Sequence, residues 1–342
     1  MNELEIIEHI RQMSGKSADG LLIGIGDDCA VIEKGGGMVW LLTMDTLIES
    51  VHFRRDWHPP ELLGRKAVAV NVSDIAAMGG SPRFVLLSLG LPAGFDPAWA
   101  KRLMQGITDA CGSQGCLLIG GDTVCSLERV SLTLTVIGEM AQEQVVYRHG
   151  AKTGDTVFVS GPLGWSAGGL ALLEAGKTLA DAEWRQLILA HLDPQPRVAL
   201  GQFLAQTGLV HAMMDMSDGL ATDLAQICKA SGVGAVIEAE LLPGGRGLAA
   251  AAELLNKDAL RWMLSGGEDY ELLFTAAEAD SEKLRQAAAE LGWTIWPAGV
   301  IQAGRQVALR RGGRIEENIS FQGFDHFKKE EWSCTEIKAR SE

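Results

Sequence analysis

Five short stretches of this chain set an aspartate beside glycine, serine, threonine or asparagine and against an apolar run. GIGDDC carries Asp27 and Asp28, and the strand-like MVWLLT leads into Asp45, with His52 one short segment later. NVSDIAAMGG carries Asp74, LLIGGDT carries Asp122, and MMDMSDG carries Asp215 and Asp218. Two carboxylates about 4 Å apart repel by roughly 4 kcal/mol at an effective dielectric of 20, so such groups call for a cation. Ligand sets made of oxygen alone favour magnesium or calcium over zinc. One aspartate of this kind is an ordinary turn residue. Its recurrence along one chain points to a distributed site for several cations.

The elements that must position these side chains follow from punctuation and period. A helix is expected over 3–13. A second runs from Pro59 and Pro60 to Gly79 and Gly80, with Ala67, Asn71, Asp74 and Met78 on one face. Val68, Val70, Val72 and Ile75 crowd Asp74, which favours burial over a solvated position. RFVLLSLGLP reads as a buried strand, 96–112 as a helix, and CLLIGGDT as a short strand stopping in a glycine turn at Asp122. RVSLTLTVIGEM alternates as a half-buried antiparallel strand. The polar AQEQVVYRHGAKTGD then marks a domain boundary between Glu139 and Gly154. In the second half DTVFVSG, GAVIEAELLP and YELLFT read as strands. SAGGLALLEAG and 281–291 read as helices, as does SDGLATDLAQICKASG with Ser217 or Asp218 near its N-cap. The expected chain is α/β (α+β), with domains over 1–142 and 149–330 and a frayed tail over 331–342.

At 342 residues the chain is long enough for two domains with a core each. A net charge of −14 argues against a nucleic-acid partner and would repel a nucleoside triphosphate unless metal stood between them. No apolar run is long enough to span a bilayer, and the opening MNELEIIEHIRQM is acidic and amphipathic, unlike a targeting signal. No membrane and a cytoplasmic location are therefore expected. The six cysteines form no C-x-x-C pair, which favours buried reduced thiols over zinc or disulfides.

Three motifs nearly match. GIGDDC lacks the third glycine of a dinucleotide fingerprint, and Gly176-Lys177-Thr178 lacks the first glycine of a P-loop. Gly164-Trp165-Ser166-Ala167-Gly168 fits G-x-S-x-G, which would make Ser166 an esterase nucleophile with His191, His211 or His326 as base. That reading leaves the aspartate stretches unexplained.

Taken in order, GIGDDCAVI, TMDTLIESVHF, KAVAVNVSDIAAMG, LIGGDT, DMSDGL, LSGGEDYELLFT and GFDHF resemble the thiamine-monophosphate kinase family of the aminoimidazole ribonucleotide synthetase-like superfamily. The resemblance runs from Gly24 to Phe327. It implies a two-domain fold whose N-terminal sheet pairs with a second subunit's in a homodimer, closed over by a C-terminal α/β domain. It also implies ATP-dependent phosphorylation of thiamine monophosphate with several Mg2+ ions. Asp28, Asp45, Asp74, Asp122, Asp215 and Asp218 look like magnesium ligands, assisted by Thr43 and the Met44 main chain. Gly121, Asp122, Arg148 and Ser217 look like ATP contacts. His52, Glu268 and Phe324 look like the acceptor pocket. The chain departs from the pattern at Met44, where a hydroxyl residue is common, at His149, and at Gln105, which replaces an aromatic. Rival readings are another synthetase of the superfamily and a non-catalytic magnesium–nucleotide sensor.

Overall fold

The computed structural model describes residues 3–15, 17–316 and 319. The first half runs α1 (Glu3–Met13), β1 (Leu21–Ile23), β2 (Ala30–Gly35), β3 (Met38–Ile48), α2 (Pro60–Ala77), β4 (Ser81–Pro92), α3 (Pro97–Ser113), β5 (Leu117–Ser126) and β6 (Ser131–Ala141). Its strands form one sheet in the order β1-β2-β3-β6-β4-β5, in which β4 and β5 alone are parallel. The strict alternation along β6 buries Leu132, Leu134 and Val136. Strand β3 pairs with β6 along its whole length and buries Val39, Leu41 and Leu47. Because side chains alternate with a period of two, Thr43 and Asp45 share that inner face while Met44 and Thr46 point outward.

The second half runs β7 (Asp155–Val159), α4 (Trp165–Glu174), α5 (Arg185–Leu192), α6 (Val198–Thr207), β8 (Val210–Asp215), α7 (Leu220–Ser231) and β9 (Gly234–Glu238). It continues with α8 (Gly245–Leu255), α9 (Ala259–Ser265), β10 (Leu272–Ala277), α10 (Glu278–Glu290), β11 (Trp296–Gln302), β12 (Val307–Arg311) and β13 (Arg314–Glu316). These strands form a second sheet, β13-β12-β9-β11-β7-β10-β8, with β9 and β12 its one parallel pair.

Helix α2 joins the two. It packs on β3 and β6 of the first sheet, on β8 at the edge of the second, and on α3 and α6. Its apolar residues face every direction, as a helix buried all round requires, and Leu63, Val68, Val70, Val72 and Ile75 are all buried. Glycines permit the close approach: a Cβ on Gly64 would overlap the Leu103 carbonyl, one on Gly106 the Glu61 carbonyl, and one on Gly201 the Ala76 carbonyl.

Three sequence expectations need correction. The halves do not keep wholly separate cores, since one buried cluster takes in Val39, Leu41 and Leu134 together with Phe158, Met213 and Phe274. Strand β5 does not turn at Asp122 but runs on to Ser126, because its pairing with β4 continues from Phe84↔Leu117 to Pro92↔Ser126. Ser217 and Asp218 stand, as expected, beside the N-cap of α7, though neither side chain is the cap itself. The cap residue is Gly219, and the Asp223 carboxylate reaches back from the first turn to accept from the Asp218 and Gly219 amides at 3.2 and 3.0 Å. Cys29, Cys111, Cys116 and Cys228 are buried free thiols, whereas Cys125 is exposed. The tail from residue 331 lies outside the described residues.

The α2–α3 contact gives a test with a definite sign. Glycine to alanine inside an exposed helix stabilises by up to about 1 kcal/mol. Gly106→Ala is expected to destabilise by about 1–3 kcal/mol, the usual cost of overpacking. Denaturant unfolding showing a neutral or more stable variant would contradict this packing.

Candidate active site

One turn of α2 reaches both sheets. The Asn71 Oδ1 accepts from the Asp45 amide at 2.8 Å while its Nδ2 donates to the Ala67 carbonyl at 3.0 Å. The Thr43 hydroxyl donates to Asp74. The Ser73 hydroxyl donates to Asp215 Oδ2, at the end of β8, at 2.6 Å. With Asp28, before β2, these contacts bring Asp28, Asp74 and Asp215 together, each offering a carboxylate oxygen within 4.8 Å of the others. Side chains from the start, middle and second half of the chain thus meet around one helix.

The cluster is crowded with like charge. Burial first, and then the charge of Asp28, pushes the Asp215 carboxyl up to about 8. Asp74 is raised by burial and then by Asp215, Asp45 and Asp28, and Asp45 by burial. Burial and the adjacent Asp28 raise Asp27 to about 6. Among the described residues, Arg148 is the cation that pairs with the cluster. Its Nη2 and Nε lie 2.6 and 3.2 Å from the same oxygen, Asp28 Oδ1, and its amide donates to Asp27 Oδ2 at 3.2 Å. Burial works against the guanidinium charge, and Asp28 more than offsets it, so its pKa is raised. The other Asp28 oxygen, Oδ2, is buried without a hydrogen-bond partner. Crowded, all-oxygen ligands with an unsatisfied buried carboxylate oxygen fit a hard divalent cation.

The remaining expected residues are more scattered. Gly121 and Asp122 stand on the exposed edge strand β5. Asp122 is in register with Ser88, and Ser88 with Thr133, whose hydroxyl meets Thr46 at 2.8 Å. That row lies on the outer face of the first sheet, opposite Asp45, so the structure does not bring Asp122 into the cluster. The Met44 side chain, 62% exposed, points to the same outer face. A Cβ on Gly121 would overlap the Leu87 backbone, so the strand pairing there requires glycine. Ser217 is exposed and Asp218 half-buried in the turn before α7, and the Ser217 carbonyl accepts from the Glu268 amide at 2.8 Å. His52 closes the end of β3, its Nδ1 accepting from the Ile48 amide at 3.0 Å. Phe324 and the GFDHF stretch, including His326, lie outside the described residues.

The GGEDYEL stretch is knotted into the fold residue by residue. Glu268 and Tyr270 both take left-handed backbone, at φ 66° and 50°. Asp269 accepts from the Gly164 and Ser166 amides at 2.5 and 3.0 Å and so caps α4, whose own cap residue, Gly164, has no side chain to do it. Glu271 pairs with Arg197, with Nε at 2.6 Å, and accepts from the Ser160 hydroxyl at 2.5 Å. Glu268 itself meets Lys66, which the sequence did not mark, and His191, marked there only as a possible esterase base. Its Oε1 is 3.0 Å from the ammonium of the fully buried Lys66, and its Oε2 is 3.2 Å from His191 Nδ1. Lys66 follows directly on the exposed Arg65, and basic residues at such a point read as solvated. The one available signal was its place in an otherwise apolar helix.

These contacts also remove His191 as the base of an esterase. Ser166 is buried, and its hydroxyl lies 3.1 Å from His191 Nδ1, the same ring nitrogen that faces Glu268. A serine–histidine nucleophile needs the serine and the orienting carboxylate on opposite ring nitrogens.

Burial would raise the Glu268 carboxyl, but Lys66 and then His191 reverse this and hold it well below its usual 4.5. A depressed folded-state pKa contributes stability above the unfolded value, and that contribution is lost as pH falls. Glu268→Gln is expected to cost about 3 kcal/mol at pH 7, because it strands a buried ammonium. The gap to the parent should narrow as pH drops below about 4.5, the unfolded-state value for glutamate. Urea unfolding at several pH values would refute the pairing if the gap stayed constant or widened on acidification.

Comparison with known proteins agrees with this geometry. The family model for the AIR synthase related protein, N-terminal domain, matches residues 26–140, and that for the C-terminal domain matches residues 152–312. The thiamine-monophosphate kinase of Bacillus subtilis (strain 168) is 36% identical over 333 residues, spanning 96% of this chain and 100% of its own. That of Escherichia coli (strain K12) is 39% identical over 308 residues, 89% of this chain and 92% of its own. The solved structure of AaThiL complexed with AMPPCP and TMP is similar with a TM-score of 0.84 at 34% identity, covering 95% of this chain and 97% of that one. Two AIR synthase-type halves in sequence, with family-level identity running nearly end to end, place this chain in the thiamine-monophosphate kinase family of AIR synthase-related proteins.

Proposed function

We propose that this chain catalyses direct, in-line transfer of the γ-phosphoryl group of ATP to thiamine monophosphate, giving thiamine diphosphate and ADP. The observation that carries the reading is the convergence of Asp28, Asp74 and Asp215 at one point, in a chain of the thiamine-monophosphate kinase family. Asp28, Asp45, Asp74, Asp215 and Asp218 would hold Mg2+ ions, with Thr43 and the Met44 main-chain oxygen assisting, and Asp122 would hold metal apart from them, on the outer face of the first sheet. Bound magnesium supplies charge neutralisation for phosphate oxygens that would otherwise repel one another. Gly121, Asp122, Arg148 and Ser217 contact ATP. Arg148 offers a planar fork of donors to phosphate oxygens once it leaves Asp28. The acceptor, a phosphate monoester with a second pKa near 6, is largely ionised at neutral pH and needs no strong base. The chain's task is therefore to position the two substrates and balance their charge. His52, Glu268 and Phe324 form the acceptor pocket.

Residues 1–142 make the nucleotide- and metal-binding domain and residues 149–330 the domain that covers it. The open edge at β5 supports a homodimer: Leu117, Ile119 and Val124 are 64%, 51% and 50% exposed there. Such an apolar edge invites pairing with a second copy. Gly121 and Asp122 would then lie at the seam. No described helix is long and apolar enough to cross a membrane, the proposed location is the cytoplasm, and the net charge of −14 argues against a nucleic-acid partner.

ADP release from ATP and Mg2+ should depend on thiamine monophosphate. Release without that acceptor would point to a related synthetase, and none with it to a nucleotide sensor. Asp74→Asn should lower turnover by roughly 10²-fold or more, in the range seen on losing one transition-state charge stabiliser. It should also abolish the rise in Tm that Mg2+ gives the parent protein. A variant that kept both would remove Asp74 from the metal site.

A further inference from the structure

Lys66 has no place in the phosphoryl-transfer chemistry above, yet it is a fully buried ammonium in the helix that organises the site. Its Nζ donates to the His191 carbonyl at 3.0 Å and meets Glu268 Oε1 at 3.0 Å. His191 meets the second Glu268 oxygen and is in turn steadied by the Ser166 hydroxyl at 3.1 Å. Beside it, the buried His58 is fixed by its Nε2 to the Leu192 carbonyl at 3.0 Å. Both Glu268 oxygens are thus held from behind by Lys66 and His191, while 24% of the side chain stays exposed. The left-handed backbone at Glu268 is a costly conformation for a residue with a side chain. Its side chain is thereby anchored at both ends.

The pairing decides what Glu268 can offer an acceptor. A free carboxylate would serve as counter-ion to a cationic ring. A carboxylate already neutralised by an ammonium about 3 Å away presents little net charge to a third group. What remains is lone pairs of fixed direction, and these take an N–H. We infer that Lys66 is a positioning residue for acceptor selection: by neutralising and orienting Glu268 it makes that carboxylate a hydrogen-bond acceptor for the exocyclic amine of the substrate's aminopyrimidine, and not a counter-ion for its thiazolium. The inference rests on the reading that Glu268 faces the acceptor pocket.

The test compares thiamine monophosphate with the analogue carrying oxygen in place of the pyrimidine amine. The parent enzyme should favour the amine by roughly tenfold or more in kcat/KM, since a site built to receive an N–H rejects the analogue lacking it. Glu268→Gln and Lys66→Met should each bring that ratio close to unity while leaving the KM for ATP within about twofold, a change smaller than the loss of one hydrogen bond. Loss of packing alone would not erase a preference between two atoms. If Glu268→Gln keeps the preference, the pocket assignment of Glu268 fails. If Glu268→Gln loses it and a folded Lys66→Met keeps it, the role given to Lys66 is overturned. Should Lys66→Met fail to fold, the double variant, which removes both buried charges, decides the matter. Its kcat/KM for thiamine monophosphate should match that of Glu268→Gln within about twofold if Lys66 acts only through Glu268. A further drop would overturn the inference.

Discussion

Like charges packed together are the constraint from which the rest of this architecture follows. Asp28, Asp74 and Asp215 converge although burial and mutual repulsion raise the pKa values of both Asp74 and Asp215. An arrangement that unfavourable persists only when the surrounding structure over-determines it. Here the restraint is α2, whose Asn71, Ser73 and Asp74 fasten β3 on one side and β8 on the other. The helix can do so because glycines let α3 and α6 press against it and because most of its residues are buried.

The same helix serves two kinds of electrostatics about two turns apart. Near its C-terminal end it gathers unbalanced negative charge, which suits divalent metal. Near its start, Lys66 and Glu268 cancel one another in a closed network with His191. One rigid element thus carries an unbalanced acidic cluster and a self-neutralised ion pair side by side. Arg148 is intermediate. It sits on one Asp28 oxygen and leaves the other without a partner, partly compensating the charge where a metal would complete it.

Much of this was legible in the chain because the relevant signals are local. Alternation along RVSLTLTVIGEM gave β6 its inner and outer faces, and prolines and glycines marked the ends of α2. Apolar neighbours marked Asp74 as buried. What could not be read depends on partners far away in sequence. Lys66 sits next to an exposed arginine and acquires its meaning from His191 and Glu268. In the GGEDYEL stretch the resemblance singles out Glu268 alone, while Asp269 and Glu271 are occupied with the α4 amides, Arg197 and Ser160. The double glycine before Asp122 signals a turn, but the pairing with β4 carries the strand straight through it. In each case a non-local contact overrode a sound local preference.

The apolar cluster shared by both halves has a further consequence. Residues of β3 and β6 are buried in the same mass as Phe158, Met213 and Phe274, so separating the halves would wet the interior of each. Wide hinge opening, the usual way a two-lobed kinase admits substrate, would break that interior. The two lobes are therefore expected to melt as one unit.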